Sequence, residues 1–593
     1  MRRHHLIAVG LVVLTVLTFF EVPQMDFVDW DDPGNVVDNP VYRPPSLENV
    51  LVIWRQPMVG FYIPVTRTLW AVVAALAVEP GADVTTDIQP FNAGVFHIAN
   101  LVMHIVNVLI VLAILRLLGF GDWAAAAGTA VFAVHPVQVE PVVWVTGFKD
   151  VVGGGFALLA LWNYLAWARA VRDTGSAPRW RYAAGVAWFA VAVLSKQTVV
   201  VLPAIAFALD VGVLRRPWQK SATALAGWLP VSLAGVVIVL WVDVGLLPRD
   251  RVEWWQRPLV AGDMLAFYLG KLIAPVRLMA NYGRNPATIV GQWWGHVTWM
   301  ASAAFVALLV FARRRVPELT ACGVVFILGV TPVLGLVAYY NQDAATRYMY
   351  LSMVGTAIAV AWAVRRWPVR RTAYVVIATV ALYAAITMLE SFYYHSSLTL
   401  FERNLELNPA SWAAHGILGK YAQARGDLAA AEAHYRAAIE AYPDQVAPHL
   451  DLGALLLTSG RTEEAIEHFR AAVEVNDLHS MAHYSLGAAL LQDGRPLEAI
   501  PELERAVELA PDMWKAHYNL GVALQDLGET DAAVEHFRAV TEAVPGYALG
   551  YGALGLALRQ AGRKDEAQRA LDQARWLGLN VDLLEEAPEA PEP

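Results

Sequence analysis

Five aspartates, Asp26, Asp29, Asp31, Asp32 and Asp38, crowd into positions 26–39 beside Trp30 and a Pro33-Gly34 turn, directly after an apolar run. A carboxylate buried without a partner costs several kcal/mol, so this stretch is expected to be solvated. The adjacent Asp31 and Asp32 carry the chemistry of a general base that takes a proton from an acceptor hydroxyl. They are also candidate ligands of a divalent cation, with Glu140 as a third. As a motif, an Asp-Asp pair alone is weak.

Further along, His135 and Glu140 lie in HPVQVEPVVW, where Pro136 and Pro141 should break a helix at the bilayer surface and expose both side chains. Lys149 and Asp150 open the next apolar run, placing a cation and an anion together. Lys196 and Arg347 each precede another apolar run. Cations at such a rim suit a phosphate or pyrophosphate on a lipid, although snorkelling of long basic side chains is a plainer account of each one alone. His97, Asn100, His104 and Asn107 recur at helical spacing in FHIANLVMHIVNVL. Such a stripe most often joins helices to one another.

These groups need a scaffold that holds them at one surface. The chain has 593 residues, 57% apolar and only 16% charged, against roughly 25% charged in soluble domains. Several runs of about twenty apolar residues point to a polytopic membrane protein. Basic clusters, taken as cytoplasmic, partition positions 1–391 into eleven spans, beginning with an uncleaved first span behind Arg2 and Arg3. The segment 243–292, rich in tryptophan, is expected to lie in the interface; if Met264–Met279 crossed instead, the count would be twelve. With eleven, the acidic stretch (in loop 21–94), loop 135–150, Ser195-Lys196-Gln197 and loop 339–347 all face away from the cytoplasm, as does the segment 243–295. The single Cys322 excludes intramolecular disulfides and cysteine-based metal sites.

After position 391 the pattern changes. Gly419, Gly453, Gly487, Gly521 and Gly555 recur every 34 residues, as do Gly426, Gly460, Gly494, Gly528 and Gly562. That period with LG, a turn glycine and a proline is the tetratricopeptide pattern, so residues 392–577 should form an α-solenoid of five repeats that binds or positions a protein. Residues 578–593 read as an acidic, disordered tail. His415, His449, His483 and His517 share the period but fill a helix-packing slot, too far apart to share an ion. From Phe401 onward there are 31 acidic against 15 basic residues, which argues against nucleic acid as partner.

The ordered set FVDWDDPG, FHIANLVMHIVN, AVFAVHPVQVEPVVWVTGFKD, LSKQ, FYLGKLIAPVRL and ATRYMYLSMVG, followed by the repeats, resembles the transmembrane and tetratricopeptide repeat O-mannosyltransferase-like proteins and their bacterial relatives, glycosyltransferases of the GT-C fold. The resemblance implies an all-α bundle and an inverting transferase that takes a mannose-like hexose from a polyprenyl phosphate. It implies a catalytic carboxylate at Asp31 or Asp32. His135, Glu140 and Asp150 would position donor and acceptor, and Lys149, Lys196 and Arg347 would meet the donor phosphate. The implied acceptor is a protein Ser/Thr hydroxyl presented by the repeats outside the cell (inner) membrane. This sequence departs from the pattern at three places: GFKD for GRKD at Phe148, SKQ for SKE at Gln197, and Tyr62-Ile63-Pro64-Val65 for YRPL. Two rival readings accompany it, a non-catalytic membrane scaffold and a same-class transferase acting on a lipid or glycan.

Overall fold

Proline and glycine set the helix boundaries in this computed structural model, which describes residues 2–58, 60–84, 90–242, 252–337 and 344–581. The chain divides into two compact units, Met1–Ile417 and Leu418–Pro593. The described residues are α-helical with short 3-10 or π turns, and contain only isolated β-bridges.

In the first unit, prolines lacking a backbone N–H begin helices at Pro64–Ala77, Pro286–Gly291 and Pro317–Val330. The helix Asp122–Val134 stops where His135 precedes Pro136. Phe148–Thr174 ends on Gly175, left-handed at φ 76°.

Among the described residues, five helices are long and apolar enough to cross a membrane: His4–Gln24, Ala93–Leu117, Val145–Thr174, Gly295–Ala312 and Val369–His395. A sixth results if the bent pair Trp218–Ala226 and Leu229–Val242 is one span. The other expected spans fall on shorter helices, among them Asp122–Val134, Gln197–Gly212, Pro317–Val333 and Met353–Arg365. In the segment expected at the interface, Arg257–Ile273 buries Val260, Met264, Leu265 and Tyr268, while the flanking Trp254, Trp255 and Trp293 are exposed. Positions 243–251 of that segment lie outside the described residues, as do 338–343 of the last loop and 582–593 of the tail.

Helices in this unit approach closely where glycine permits. A Cβ on Gly128 would lie 2.2 Å from the Ala357 carbonyl oxygen, so Asp122–Val134 and Met353–Arg365 touch backbone to backbone. On Phe148–Thr174, three successive glycines face three different neighbours: Gly153 meets Lys196, Gly154 the Tyr350 ring and Gly155 the Asn107 amide.

The repeats form five helix pairs whose first helices start at Trp412, Val446, Ser480, Trp514 and Ala548. Gly426, Gly460, Gly494, Gly528 and Gly562 turn between the paired helices at φ 74–81°, a region that strains any residue with a Cβ. The other glycine series makes room for the partner helix: Gly453 faces Phe469 and Gly521 faces Phe537. In three repeats the histidine slot pairs with a residue nineteen positions on. His449 Nδ1 lies 3.2 Å from His468 Nδ1, and His483 Nδ1 lies 2.6 Å from a Glu502 oxygen. His517 and His536 repeat the arrangement at 3.0 Å.

The close contact at Gly128 yields a test. Gly128→Ala should destabilise the protein by about 1–3 kcal/mol, because the methyl meets backbone that cannot rotate away. Gly10→Ala, with nothing within 4 Å of its Cβ, should leave the thermal midpoint in detergent unchanged. Equal midpoints for the two variants would contradict the packing.

Candidate functional site

The acidic stretch is only partly solvated. Asp26, Asp29 and Asp38 are exposed and Asp31 is half-buried, but Asp32 is wholly buried. The expectation of a solvated Asp32 fails because its carboxylate is satisfied internally. Its Oδ2 accepts the Val28 N–H at 2.8 Å and its Oδ1 accepts the Thr146 N–H at 3.1 Å. One oxygen closes its own loop and the other fastens that loop to the second one. Burial pushes the Asp32 pKa up to about 7, with a further rise from the neighbouring Asp31 charge and an opposing pull from the two N–H groups.

The rest of the stretch is tied down on either side. Asp26 N–H donates to the His395 carbonyl at 3.1 Å, and Asp29 N–H to Ser397 Oγ at 2.8 Å. Trp30 stacks on Phe401 with centroids 5.4 Å apart and tilts against Trp412 at 6.0 Å. Asn35 donates both its backbone N–H and its side-chain amide to the Asp31 carbonyl. Asp31 is thus the half-buried carboxylate on a loop held at both ends.

His135 and Glu140 are 1% exposed, not open to water as expected. The prolines end the helix, but the chain turns inward: Pro136–Gln138 and Val139–Val143 are short buried helices. Glu140 Oε2 accepts from Thr346 Oγ1 at 2.8 Å and from the Arg347 N–H at 2.9 Å, and Oε1 pairs with the Arg347 guanidinium. His135 points elsewhere, with Nε2 on the Leu272 carbonyl at 3.2 Å and its ring edge-on to Tyr383. Burial lowers its pKa to about 4, so the ring is neutral at physiological pH.

Asp150 and Lys196 form a second ion pair, with side chains 1% and 12% exposed. The Lys196 ammonium also lies over the Tyr348 ring at 5.3 Å, and the Arg347 guanidinium over Tyr348 and Trp144 at 5.0 and 5.6 Å. Lys149 makes no ion pair among the described residues; its ammonium rests over Phe61 at 5.1 Å. Asp31 is close enough to act electrostatically on both Lys149 and Arg347. The structure therefore brings together Asp31, Asp32, Glu140, Lys149, Asp150, Lys196 and Arg347, and leaves His135 apart.

The polar stripe positions this cluster. Asn100 donates to the Trp144 carbonyl at 2.6 Å and Asn107 to Val151 at 2.7 Å, while His104 and Asn107 both meet the Tyr350 hydroxyl at 2.8 Å. Sequence reasoning missed Thr346 and Tyr350 as partners, and it missed the buried Arg67. A cation in an otherwise apolar helix was the one signal that could have marked Arg67.

Of the three carboxylates that could face a divalent cation, Asp32 and Glu140 already accept hydrogen bonds on both oxygens. Among the described residues no three His, Cys, Asp or Glu side chains gather as ligands.

Fold and repeats define a helical protein with several membrane-length helices and a C-terminal tetratricopeptide solenoid. The tetratricopeptide repeat family model TPR_16 matches residues 394–446, 450–513 and 494–548. Within that class the chain resembles the transmembrane and tetratricopeptide repeat proteins. It is 26% identical over 227 residues to the Protein O-mannosyl-transferase Tmtc2 of Drosophila melanogaster, a stretch covering 36% of this chain and 24% of that relative. Among solved structures, YrrB, a TPR protein with an unusual peptide-binding site, is 25% identical, with a TM-score of 0.29 over 31% of this chain and 97% of its own. MamA is 30% identical, with a TM-score of 0.26 over 27% and 93%.

The Asp32 environment predicts a pH signature. Its folded pKa of about 7 stands above the ordinary 3.8, so between those values the folded state binds more protons than the unfolded one. Stability then falls as pH rises from about 4 to about 7 and levels off above, by a few kcal/mol from this group. Asp32→Asn, which cannot titrate, should flatten that slope. Thermal midpoints measured from pH 4 to 8 check it; an unchanged slope in the variant would refute the buried carboxylate.

Proposed function

We propose that the protein is an integral-membrane glycosyltransferase that moves a hexose from a polyprenyl phosphate to an acceptor hydroxyl, protein Ser or Thr, on the extracytoplasmic side of the cell membrane. The partial similarity to an O-mannosyltransferase supports the class of reaction. The observation that carries the reading is the placement of Asp31, half-buried and within electrostatic reach of Lys149 and Arg347 at one end of the bundle.

Asp31 is the base in this reading, because both oxygens of Asp32 already accept backbone N–H groups. Asp31 takes the proton of the acceptor hydroxyl, and the oxygen attacks the anomeric carbon from the face opposite the phosphate. The bond from that carbon to the phosphate oxygen breaks with its electron pair, the lipid phosphate leaves as an anion, and the configuration inverts. The rim cations offset the charge that builds on the departing phosphate. Asp32 holds Asp31 in register with the second loop, and the repeats, on the same side of the membrane, hold the acceptor protein.

A labelled-hexose transfer assay in proteoliposomes, with a polyprenyl-phosphate hexose and a Ser/Thr peptide, tests this. Asp31→Asn should lower the rate by about 10²–10⁴-fold, with an unchanged thermal midpoint and unchanged donor binding. Wild-type rates in that variant would remove Asp31 as base. If the wild-type protein binds no polyprenyl-phosphate sugar, and hexose on envelope proteins is the same with and without the gene, the scaffold reading replaces the enzyme.

A further inference from the structure

Two of the cations expected to meet a donor phosphate are already spoken for. Lys196 is paired with Asp150 and Arg347 with Glu140, each carboxylate 1% exposed in its side chain. The cleft beside them, lined by Asp150, Lys196, Arg347, Tyr348 and Tyr350, holds only about 20 Å³, the room of a single water and not of a phosphate. A buried positive charge left unanswered is that of Arg67.

Arg67, on the helix Pro64–Ala77, is 1% exposed. It makes no ion pair among the described residues, and its Nε and Nη1 are buried without a hydrogen-bond acceptor. Only Nη2 is used, donating to the Met58 carbonyl at 2.8 Å. The Tyr42 hydroxyl, also buried, lies beside the guanidinium in a contact too loose to satisfy either group. A guanidinium held out of water with unused N–H groups is a costly arrangement unless an anion completes it.

Arg67 and Lys149 belong to one place. Met58 and Phe61 exchange backbone hydrogen bonds at 3.0 and 2.9 Å; Arg67 grips the Met58 carbonyl and the Lys149 ammonium sits over the Phe61 ring. One helical turn beyond Arg67, Trp70 stacks on Phe148, the neighbour of Lys149, at 6.3 Å. The two positive charges act on one another electrostatically, and Phe61 is 43% exposed.

We infer that Arg67, with Lys149 and the Tyr42 hydroxyl, forms an anion-binding subsite for a phosphate group, supplied by the head of a polyprenyl phosphate. This rests on the proposed transferase reading and relocates its phosphate from the Lys196 and Arg347 side to the Arg67 side. The guanidinium offers two free donors to phosphate oxygens, the ammonium a third contact and the phenol a fourth. The hydrocarbon chain then runs outward past Phe61.

Binding of undecaprenyl phosphate, undecaprenyl diphosphate and inorganic phosphate to the full-length protein in detergent tests the subsite, with the ligand-free thermal midpoint recorded for each variant. Undecaprenyl phosphate should bind the wild type, and Arg67→Gln and Lys149→Gln should each weaken it at least tenfold. Arg67→Lys should recover part of the loss, which a merely structural arginine would not predict. Tyr42→Phe keeps both cations and should weaken binding by a smaller factor, and it serves if Arg67→Gln does not fold. Folded Arg67→Gln or Tyr42→Phe protein with wild-type affinity overturns the subsite while leaving the transferase reading intact. Dependence on Arg67 for inorganic phosphate alone overturns the lipid as source. A wild-type protein that binds neither polyprenyl probe instead sinks the transferase reading itself.

Discussion

The geometry of this protein's candidate site depends on one buried carboxylate holding two backbone N–H groups. Asp32 reaches Val28 within its own loop and Thr146 across to the next. Without those donors a carboxylate with no exposure would be costly to keep. With them it is a joint between two stretches over a hundred residues apart in the chain. Asp31 is held by the backbone on either side of it: Trp30 is clamped by aromatics, and Asn35 binds the Asp31 carbonyl. The adjacent aspartates, alike in the sequence, therefore differ in kind: one is a structural acceptor and the other a half-exposed acid.

The second constraint is charge pairing in a dry setting. Removing one member of a buried ion pair typically costs about 3–5 kcal/mol because the other is left unanswered. Glu140 with Arg347, and Asp150 with Lys196, thus fix the loops that carry them as firmly as packing does. Glycine makes the second pair reachable, since a Cβ on Gly153 would lie 2.8 Å from that of Lys196. The three departures from the resembled pattern meet in this neighbourhood. Gln197 donates its amide to the Tyr62 carbonyl and Phe148 stacks on Trp70. A glutamate at 197 could not donate there, and an arginine at 148 would add a cation next to Lys149. The two changes remove one charge of each sign, so the balance of the site is preserved.

Much of this was legible in the sequence, for identifiable reasons. The repeats obey a strict period, and the turn glycines fall at positive φ where the period puts them. The apolar runs mark helices because backbone groups in lipid must bond within their own segment. Span count is less legible. Against eleven expected crossings, five or six helices among the described residues have full length, and prolines bound several of the shorter ones, such as Pro64–Ala77 and Pro317–Val330. Burial of His135, Glu140 and Asp32 was not legible, because their partners are backbone groups or side chains distant in sequence, such as Thr346. Arg67 was passed over for the same reason: its neighbours Tyr42 and Met58 come from separate parts of the first loop.

The helix Ser397–Leu407 bears on how far the site extends along the chain. By composition the membrane portion ends near position 391, yet the compact unit runs on to Ile417. The acidic loop explains why. Trp30 is gripped by Phe401 and Trp412, Asp29 by Ser397 and Asp26 by the His395 carbonyl. Asn404, buried on the same helix, bonds the Asn281 carbonyl in the segment after Arg257–Ile273. Phe401 is fully buried, so its ring cannot shift without moving Trp30, and Trp30 cannot shift without moving Asp31. The residues that lead into the repeats are therefore structural parts of the acidic loop, and the position of its accessible carboxylate is set from that side as well as from the membrane helices.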